Sequence, residues 1–394
     1  MIQRIYMDYA ATTPVKEAVF AEMLPYFMES YANPAAVHLF GQEAKSAVEK
    51  ARTRVAELIG ANAEEIYFTS GGTEADNWAL RGVAEAYRDK GKHIITSRIE
   101  HHAVLHTLQY LEKQGYDVTY LEVDTEGRIR IEDLIRAIRE DTILISIMAA
   151  NNEIGTLEPL AEIGRIAKER GILFHTDAVQ AYGHIPLNVH AMQIDLLSAS
   201  AHKCGGPKGI GLLYMRKGVR IEPLMYGGAQ ERNYRAGTHN TPGIVGFGKA
   251  SQLAKEKLTS QMTYVSKLRE YMVGRVTTEI PFSFLNGGKA ERLAGNVNIC
   301  FPYVESESLL ILLDQQGICA SAGAACASGS MKPSHVLLAI GRSTEEARSS
   351  IRFSLSEETT REEIDIVVNQ LVEIVANLRS RNTAYQEFIH KNRK

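Results

Sequence analysis

The chain has 394 residues, of which 45% are hydrophobic and 23% are charged, which is enough for a large domain with a buried core and a smaller second domain. Its formal net charge of −3 argues against a general binder of nucleic acids or of anionic membranes. The first residues, MIQRIYMDYAATTP, lack the apolar run of a signal peptide, and we expect no membrane span and a cytoplasmic protein.

Between about residues 60 and 215, short apolar runs alternate with amphipathic ones, which predicts an α/β fold with a mostly parallel central sheet. The predicted strands are EEIYFTS, HIITS, TILISIMAA, ILFHTDA, IDLLSAS and GIGLLYM. Helices are predicted at TEADNWALRGVAEAYRDKG, EHHAVLHTLQYLEKQG and PLAEIGRIAKERG. A long helical stretch follows residue 250 and leads into the shorter strands GNVNICF and SIRFSLS and a last helix. We therefore predict a large domain, residues 15–255, and a smaller α+β domain, residues 1–14 and 256–394.

Polar residues follow four of the predicted strands, at the strand ends where ligands bind in such sheets. They are Ser70-Gly71-Gly72-Thr73, Asn151-Asn152-Glu153, Asp177-Ala178-Val179-Gln180 and Ser200-Ala201-His202-Lys203. The Gly-rich turn before a helix offers free N–H groups to an anion, most often phosphate, although many such turns are only connections. The sequence contains no G-x-x-x-x-G-K-[ST] motif, which disfavours a nucleotide as the ligand.

A lysine and an aspartate at two of these strand ends suggest a cofactor. Lys203 is either a solvated surface residue or an amine whose depressed pKa allows a Schiff base. Asp177 could keep a pyridine nitrogen protonated, and His101 is either a ring-stacking residue or an ordinary residue at a helix start. With a phosphate cradle, these are the groups that pyridoxal 5′-phosphate needs. The twelve histidines form no tight ligand cluster in the sequence, so we expect no metal site.

Four cysteines in so long a chain do not form a disulfide framework. The ordinary role of such a residue is a small buried hydrophobe, which suits Cys300 in NVNICF and, less clearly, Cys319. Cys326 differs, because it lies in GICASAGAACASGS, residues 317–330, whose small side chains can bury little. We predict a mobile loop there.

Many short motifs occur in the order and spacing typical of cysteine desulfurases: MDYAATTP, NPAAVH, FTSGGTEADN, EHHAV, NNEIG, FHTDAVQ, SAHK, QER, RAGT, SAGAACASGS and SSIRFSLS. Over nearly its whole length the sequence resembles the NifS/IscS type, a fold-type I pyridoxal-phosphate enzyme of the class V aminotransferase group. The resemblance implies conversion of L-cysteine to L-alanine, with the sulfur held as an enzyme persulfide. It also implies a homodimer and delivery of the sulfur to an iron–sulfur scaffold protein or another acceptor.

The resemblance also implies a role for individual residues. Lys203 is similar to the Schiff-base lysine, His101 to the residue that stacks on the ring, and Cys326 to the cysteine that takes the sulfur. The remaining cofactor contacts are Asp177 at the pyridine nitrogen, Gln180 at the ring hydroxyl, Gly72, Thr73, Ser200 and His202 at the phosphate, and Thr238, contributed across a dimer interface. Asn152 contacts the cofactor and, with Arg352, holds the substrate carboxylate, for which the planar guanidinium is suited.

The loop of about residues 319–332 resembles the long group I form, which hands sulfur directly to scaffold proteins. Such a loop has to move and to approach other backbones closely, and Gly, Ala and Ser allow both. The resemblance leaves open whether Cys326 is a transient ligand of an iron–sulfur cluster. The loop departs from the usual pattern, since Ala322, Ala324 and Ala327 replace hydroxyl residues. Cys204 after the lysine and Asn233-Tyr234 are unusual as well.

Three alternatives to a cysteine desulfurase follow from the same residues. A selenocysteine lyase or another class V aminotransferase would share the cofactor site. A non-enzymatic sulfur-trafficking or scaffold protein would not need Asp177, Lys203 and His101.

The basic tail RSRNTAYQEFIHKNRK is either a solvated end or a docking segment for an iron–sulfur scaffold protein.

Overall fold

The computed structural model describes residues 4–288, 291–322 and 333–392, and Cys326 lies outside the described residues. In these ranges the strands are β1 (Ile5–Tyr6), β2 (Ile66–Thr69), β3 (His93–Ser97), β4 (Asp117–Leu121), β5 (Thr142–Ser146), β6 (Leu173–Asp177), β7 (Leu196–Ser200), β8 (Gly211–Met215), β9 (Phe284–Leu285), β10 (Asn296–Cys300), β11 (Ile318–Cys319) and β12 (Ser350–Ser354). The helices are α1 (Glu17–Met23), α2 (Pro25–Met28), α3 (Leu39–Leu58), α4 (Gly72–Ala86), α5 (His102–Lys113), α6 (Ile131–Ala137), α7 (Leu160–Arg170), α8 (Thr241–Glu279), α9 (Ser306–Gln315), α10 (His335–Ala339), α11 (Thr344–Arg348), α12 (Arg361–Ser380) and α13 (Thr383–Asn392). None of the described helices is both long and apolar enough to cross a lipid bilayer.

A seven-stranded sheet in the order β2-β8-β7-β6-β5-β3-β4 forms the centre of the fold. All neighbours are parallel except at β8, which is antiparallel to both β2 and β7. Both faces of the sheet are covered, by α4 and α5 on one side and by α3, α7 and the first half of α8 on the other. This double cover explains why the strands read as continuous apolar runs. The predicted α/β fold with a mostly parallel sheet is confirmed.

A second hydrophobic core surrounds the antiparallel sheet β12-β10-β9. The predicted strands GNVNICF and SIRFSLS are β10 and β12 of this sheet. The N-terminal segment joins it, because β1 pairs in parallel with β11 and Ile5 and Met7 are buried in the second core.

Helix α8 is shared by the two cores. Ile244 and Phe247 of its first half are buried in the first core, around the large sheet, whereas Leu268 and Met272 of its second half are buried in the second core. The helix runs without interruption through the predicted boundary between residues 255 and 256. The division into two domains stays a prediction, and its boundary falls inside a helix.

The C-terminal tail is folded rather than a free end. Its helix α13 places the Phe388 ring 5.1 Å from that of Phe282 and 5.4 Å from that of Tyr303, measured between ring centroids. The Tyr385 ring lies 5.6 Å from the same Tyr303. Residues 383–392 therefore form a helix with aromatic contacts rather than an unstructured end, and both the solvated and the docking roles of the tail stay predictions.

Candidate active site

Lys203 lies just after β7, in the short turn Ala201–Lys203. Its amine donates hydrogen bonds to the carbonyl oxygens of Ala10 at 2.6 Å and Ala11 at 2.9 Å. Burial and the nearby Arg352 guanidinium lower the pKa of Lys203 to about 8, against the opposing effect of two aspartates. An amine with this pKa is partly neutral near physiological pH, so it can act as a nucleophile or as a base.

Asp177 is the last residue of β6, next to β7 in the sheet, and its side chain is buried. Its Oδ1 accepts a hydrogen bond from the backbone N–H of Val179 at 2.9 Å. Burial raises the pKa of Asp177, while His101 and Lys203 favour its ionised form. The carboxyl ends of parallel strands thus bring Asp177 and Lys203 to the same edge of the sheet.

His101 is the residue before α5, and its Nδ1 accepts a hydrogen bond from the N–H of Ala103 at 3.1 Å. Its ring lines an open pocket together with Thr73, one of the predicted phosphate residues. Desolvation by the surrounding protein lowers the pKa of His101, with Asp177 opposing the effect and Lys203 adding to it. An imidazole beside Asp177 and facing a pocket can stack on a planar ligand.

The residues predicted to form an anion cradle lie in the turn between β2 and α4. A Cβ added at Gly72 would lie 2.4 Å from Val179 Cγ2 and 3.8 Å from Ser200 Cβ, so glycine suits this close approach. Gly72 therefore lies against Val179, just after β6, and Ser200, the last residue of β7. The fifteen-residue helix α4 starts at this glycine and directs its N-terminal N–H groups there.

Two further predicted residues contact the N-terminal segment. The Gln180 amide donates to the Ala10 carbonyl at 3.0 Å, the same oxygen that accepts from Lys203. His202 Nδ1 lies 3.1 Å from Thr12 Oγ1, and burial lowers the pKa of His202 to about 4. Sequence reasoning assigned no role to Ala10 and Thr12, because a backbone carbonyl and a threonine in a turn leave no signal that separates them from ordinary loop residues.

Arg352 and Asn152 come together as predicted for a carboxylate site. Arg352 lies on β12, is buried, and donates from Nη1 to the Asn152 carbonyl and from Nη2 to Asp8 Oδ1, both at 2.9 Å. Within the described residues its buried Nε has no hydrogen-bond partner. The sequence analysis missed Asp8, which lies in the motif MDYAATTP and gives the guanidinium an anionic partner.

The predicted loop cysteine lies between two described anchors. On one side, Ser321 and Arg352 exchange backbone hydrogen bonds of 3.1 and 2.7 Å. On the other side, Ser334 Oγ donates to the buried carboxylate of Glu153, next to Asn152, at 2.5 Å. The chain therefore leaves and re-enters the described structure beside the two residues predicted to hold the substrate.

The other three cysteines have raised pKa values. Burial raises the pKa of Cys204 and of Cys300 to about 12, and it also raises that of Cys319. Cys204 follows Lys203 in the chain and is buried, and its Sγ lies 3.4 Å from the Ala201 carbonyl oxygen. Because the thiolate is the nucleophilic form, these thiols are poor nucleophiles near neutral pH.

Thr238 stands apart from the other predicted residues. It is exposed, and no hydrogen bond or ion pair within the described chain joins it to them. The preceding residues Glu231, Arg232 and Asn233 all have left-handed backbone angles, with φ values of 44°, 58° and 68°. A buried ion pair from Arg52 to Glu231, at 2.8 Å, holds the segment in this conformation.

A second aspartate, which the sequence analysis did not single out, lies beside Asp177. One ligand atom each of Asp76, His101 and Asp177 lies within 4.8 Å of the others. Asp76 stands at the head of the buried stripe of α4 formed by Ala79, Leu80 and Val83, and this i, i+3, i+4, i+7 spacing is the signal that could have found it. The three groups could also hold a cation, and the absence of a metal stays a prediction.

Known proteins are similar to this chain over nearly its full length. The sequence profile of the family described as aminotransferase class-V matches residues 5–367. A curated relative named cysteine desulfurase IscS, from Methanosarcina thermophila, is 55% identical over 95% of this chain and 93% of its own length. A solved structure titled NifS-like protein has a TM-score of 0.89 at 40% identity and covers 95% of this chain and 100% of that one. A structure titled SspA in complex with cysteine has a TM-score of 0.80 at 39% identity, over 91% of this chain and 100% of that one.

Proposed function

Since the chain belongs to the class V aminotransferase family and, within it, to the cysteine desulfurases, we propose that it converts L-cysteine to L-alanine with pyridoxal 5′-phosphate as its cofactor and Cys326 as the sulfur acceptor. This family of enzymes depends on pyridoxal phosphate. One observation carries the proposal. The Lys203 amine, whose pKa is about 8, and the buried carboxylate of Asp177 lie at the ends of adjacent strands.

The residues present fit the cofactor. Gly72 leaves room where a Cβ would collide with Val179, and the start of α4 supplies N–H groups for a phosphate. Among the described residues, no cationic side chain is bonded to the buried carboxylate of Asp177, which leaves it available to a protonated ring nitrogen. We propose that Lys203 holds the cofactor through its amine, with His101 on the ring face and Gln180 at the ring hydroxyl. The phosphate contacts would be Gly72, Thr73, Ser200, His202 and Thr238 of the partner subunit.

When bound, the cofactor supplies an electron sink that stabilises negative charge at the substrate α-carbon. Asp177 holds the ring nitrogen in its charged form, which that chemistry needs. The amine of Lys203, with its pKa of about 8, can take a proton from the α-carbon and return it. His101 is a neighbouring candidate for the same proton. Asn152 and Arg352 hold the substrate carboxylate, and the unpartnered Nε of Arg352 is a donor for it.

In the sulfur-transfer step the Cys326 thiolate attacks the substrate sulfur. The new S–S bond forms as the substrate C–S bond breaks, the carbon keeps the electron pair and takes up a proton, and L-alanine leaves. Cys326 is five residues after Ser321, so an extended chain gives it a reach of roughly 17 Å from that anchor. A reach of that length supports a role in both attack and delivery.

The products test the reaction directly. Purified protein loaded with pyridoxal phosphate, given L-cysteine and a thiol reductant, should form alanine and sulfide in equal amounts. The absence of both products, with the cofactor bound, would overturn the proposed function. A strong preference for selenocysteine would favour the lyase.

Variants test the roles of the thiol and the amine. Cys326→Ala should bind pyridoxal phosphate but form no persulfide and lose nearly all desulfuration, because the nucleophile is gone. Lys203→Ala should lose the visible absorption of the covalently held cofactor. Cys319→Ala and Cys204→Ala are matched controls that should stay active, since burial raises the pKa of both thiols. Mass spectrometry that finds the added sulfur on either of them, with Cys326→Ala still active, would contradict the assignment.

The delivery of the sulfur and the assembly belong to the proposal as well. We propose a homodimer that passes sulfur to an iron–sulfur scaffold protein or another acceptor in the cytoplasm. Group I cysteine desulfurases, which the predicted loop resembles, hand over sulfur directly. Purified protein carrying labelled persulfide, mixed with an acceptor of this kind, should transfer the label to the acceptor's cysteine, and persistent retention on Cys326 would argue against direct delivery.

A further inference from the structure

Two buried carboxyl groups lie side by side under the cofactor site. Asp76 is 1% exposed and Asp177 is 5% exposed, and a carboxylate oxygen of each lies within 4.8 Å of the other. Two carboxylates this close in a buried site cannot both ionise without a large electrostatic cost. One proton is therefore retained by the pair.

The surroundings of Asp177 favour the negative charge on that residue. Asp177 accepts the Val179 N–H and faces His101 and the amine of Lys203, which favour its ionised form. His101 lies near both carboxyl groups, whereas the Val179 N–H donates to Asp177. Burial, followed by the charge of Asp177, raises the pKa of Asp76 well above its usual range, and only a hydrogen bond from Ser198 opposes this.

A neutral hydrogen-bonded chain leads away from Asp76. The Ser198 hydroxyl, which bonds to Asp76, lies 3.0 Å from His175 Nε2, and His175 Nδ1 lies 2.9 Å from Ser146 Oγ. His175 is fully buried, and burial lowers its pKa to about 3, so it is uncharged at neutral pH. A protonated Asp76 can donate to Ser198 Oγ, which then donates to His175 Nε2, and the imidazole donates from Nδ1 to Ser146 Oγ.

The other oxygen of Asp76 lacks the partners that a buried carboxylate needs. Oδ1 has no hydrogen-bond partner in the described part of the chain, although it lies 3.7 Å from His175 Nε2. The remaining acid near the pair is Glu100, whose Oε1 accepts from Ser97 Oγ at 2.6 Å and Met148 N at 3.0 Å. Burial raises the pKa of Glu100 to about 8, so it is mostly uncharged at neutral pH.

We propose that Asp76 is a positioning residue that stays protonated, so that the chain Ser146–His175–Ser198–Asp76 keeps the single negative charge of the pair on Asp177. This inference rests on the proposed function, in which Asp177 faces the ring nitrogen of the cofactor. A neutral Asp76 does not compete with Asp177 for the proton on the ring nitrogen. It also does not repel a phosphate group bound at the start of α4, the helix that carries Asp76. The site would then gain an anion at one defined position.

The test compares two amide variants that differ only in the carboxylate replaced. Asp76→Asn keeps a neutral side chain with both a donor and an acceptor, so the affinity of the apoprotein for pyridoxal phosphate should change by less than about threefold. Asp177→Asn removes the proposed anion, and the affinity should fall by about 10- to 100-fold, the typical effect of losing a charged hydrogen bond. Asp76→Leu, which leaves Ser198 without its partner, should bind more weakly than Asp76→Asn. If Asp76→Asn binds the cofactor better than Asp76→Leu, position 76 needs an uncharged hydrogen-bonding group and not only a side chain that fills the space.

An infrared measurement on the apoprotein needs no activity. The difference spectrum of wild type minus Asp76→Asn at neutral pH should contain the C=O stretch of a protonated carboxyl group. Absence of that band, or Asp76→Asn as damaging as Asp177→Asn, would place the charge on Asp76 and overturn the inference. A stoichiometric metal ion in the wild-type holoenzyme that disappears in Asp76→Asn would overturn it as well, because the pair would then be a metal site.

These outcomes are distinguishable from failure of the proposed function. If the wild-type protein binds pyridoxal phosphate but forms no alanine from L-cysteine, the proposed reaction fails while the two affinities still decide the charge on Asp76. If the wild-type protein does not bind the cofactor at all, the infrared band of the apoprotein still decides whether Asp76 is protonated.

Discussion

At the scale of single residues, the structure shows how a lysine becomes reactive without a catalytic neighbour bonded to it. The Lys203 amine is held by two backbone carbonyls, and its pKa is lowered first by burial and then by the Arg352 guanidinium. Arg352 comes from the second core, while Lys203 follows a strand of the first. A residue predicted to bind substrate thus also influences the residue predicted to hold the cofactor.

The pKa of Lys203 predicts how fast the apoprotein attaches pyridoxal phosphate. Only the neutral amine is nucleophilic, so the attachment rate should rise with pH and level off above about 8, where the amine has lost its proton. Arg352→Gln removes a positive charge that favours the neutral form of the Lys203 amine. The midpoint of the attachment rate against pH should therefore lie at a higher pH in this variant than in the wild type. Stopped-flow absorbance of the bound cofactor, recorded without substrate, measures both midpoints.

A free lysine derivative, with a pKa of about 10.4, is the matched reference for this experiment. A wild-type midpoint equal to that of the reference would contradict the lowered pKa of Lys203. An unchanged midpoint in Arg352→Gln would show that burial alone accounts for it.

Residue types at strand ends were enough to predict that Asp177 and Lys203 share this candidate site, whereas the family resemblance supplied the roles of most other residues. Parallel strands bring their carboxyl ends together, so Asp177 is a neighbour in space of Ser200 and Lys203, which lie more than twenty residues later in the chain. Asp8 and Asp76 were not singled out, since one lies in an irregular N-terminal segment and the other reads as an ordinary polar residue of a helix start. The position of Asp8 depends on pairing between β1 and β11, which local spacing does not reveal, whereas the apolar spacing of α4 would have placed Asp76 on its buried face.

At the scale of elements, the most strained described segment is the turn before Thr238. Left-handed angles cost a non-glycine residue roughly 1 kcal/mol or more, and Glu231, Arg232 and Asn233 adopt them in succession. Glu231 offsets this cost by accepting hydrogen bonds from Arg52 at 2.8 Å, from Phe68 N at 2.8 Å and from His239 Nε2 at 2.7 Å. Burial alone would raise its pKa, but these partners hold the pKa of Glu231 at about 2.

Removing the arginine from this ion pair should destabilise the fold strongly. Arg52→Met leaves the Glu231 carboxylate buried with fewer partners, so the free energy of unfolding should fall by about 3–5 kcal/mol. Arg165→Met is the matched control, since its pair with Glu169 is exposed and should be worth less than about 1 kcal/mol. Urea unfolding of the two apoproteins measures the difference, and equal losses would show that the Arg52–Glu231 pair does not hold the turn.

Elements were predicted more completely in the first core than in the second. Six strands of the large sheet and the helices α4, α5 and α7 occur where the alternating pattern placed them, whereas β4 and α3 were not predicted. The 39 residues of α8 were divided between two domains instead, although the helix is continuous and its buried residues belong to the first core up to Ala254 and to the second core from Val265. A helix shared by two cores gives no local signal of where one core ends.

At the scale of the whole molecule, each chain supplies nearly all of the proposed site, and Thr238 is the exception. Thr238 is exposed, and the turn that leads to it is held rigidly by Arg52 and Glu231. A fixed and exposed hydroxyl suits a role on a neighbouring subunit, where it can add to a phosphate cradle without rearranging its own chain. Together with the family resemblance, this arrangement supports a dimer in which each subunit completes the other's site.

Mixed dimers should show this exchange of residues. Lys203→Ala homodimers have no lysine to hold the cofactor, and Thr238→Ala homodimers lack the proposed contact with the phosphate, so their affinity for pyridoxal phosphate should fall by several-fold. In a mixed dimer, the subunit that carries Thr238→Ala keeps Lys203 and receives Thr238 from the Lys203→Ala subunit, so one site is complete.

Coexpression with two different tags and tandem purification isolates the mixed dimer. Its cofactor titration should show one site of wild-type affinity per dimer. If Thr238 served its own subunit instead, the remaining lysine site would bind as weakly as in the Thr238→Ala homodimer, and a fully active wild-type monomer in solution would contradict the exchange altogether.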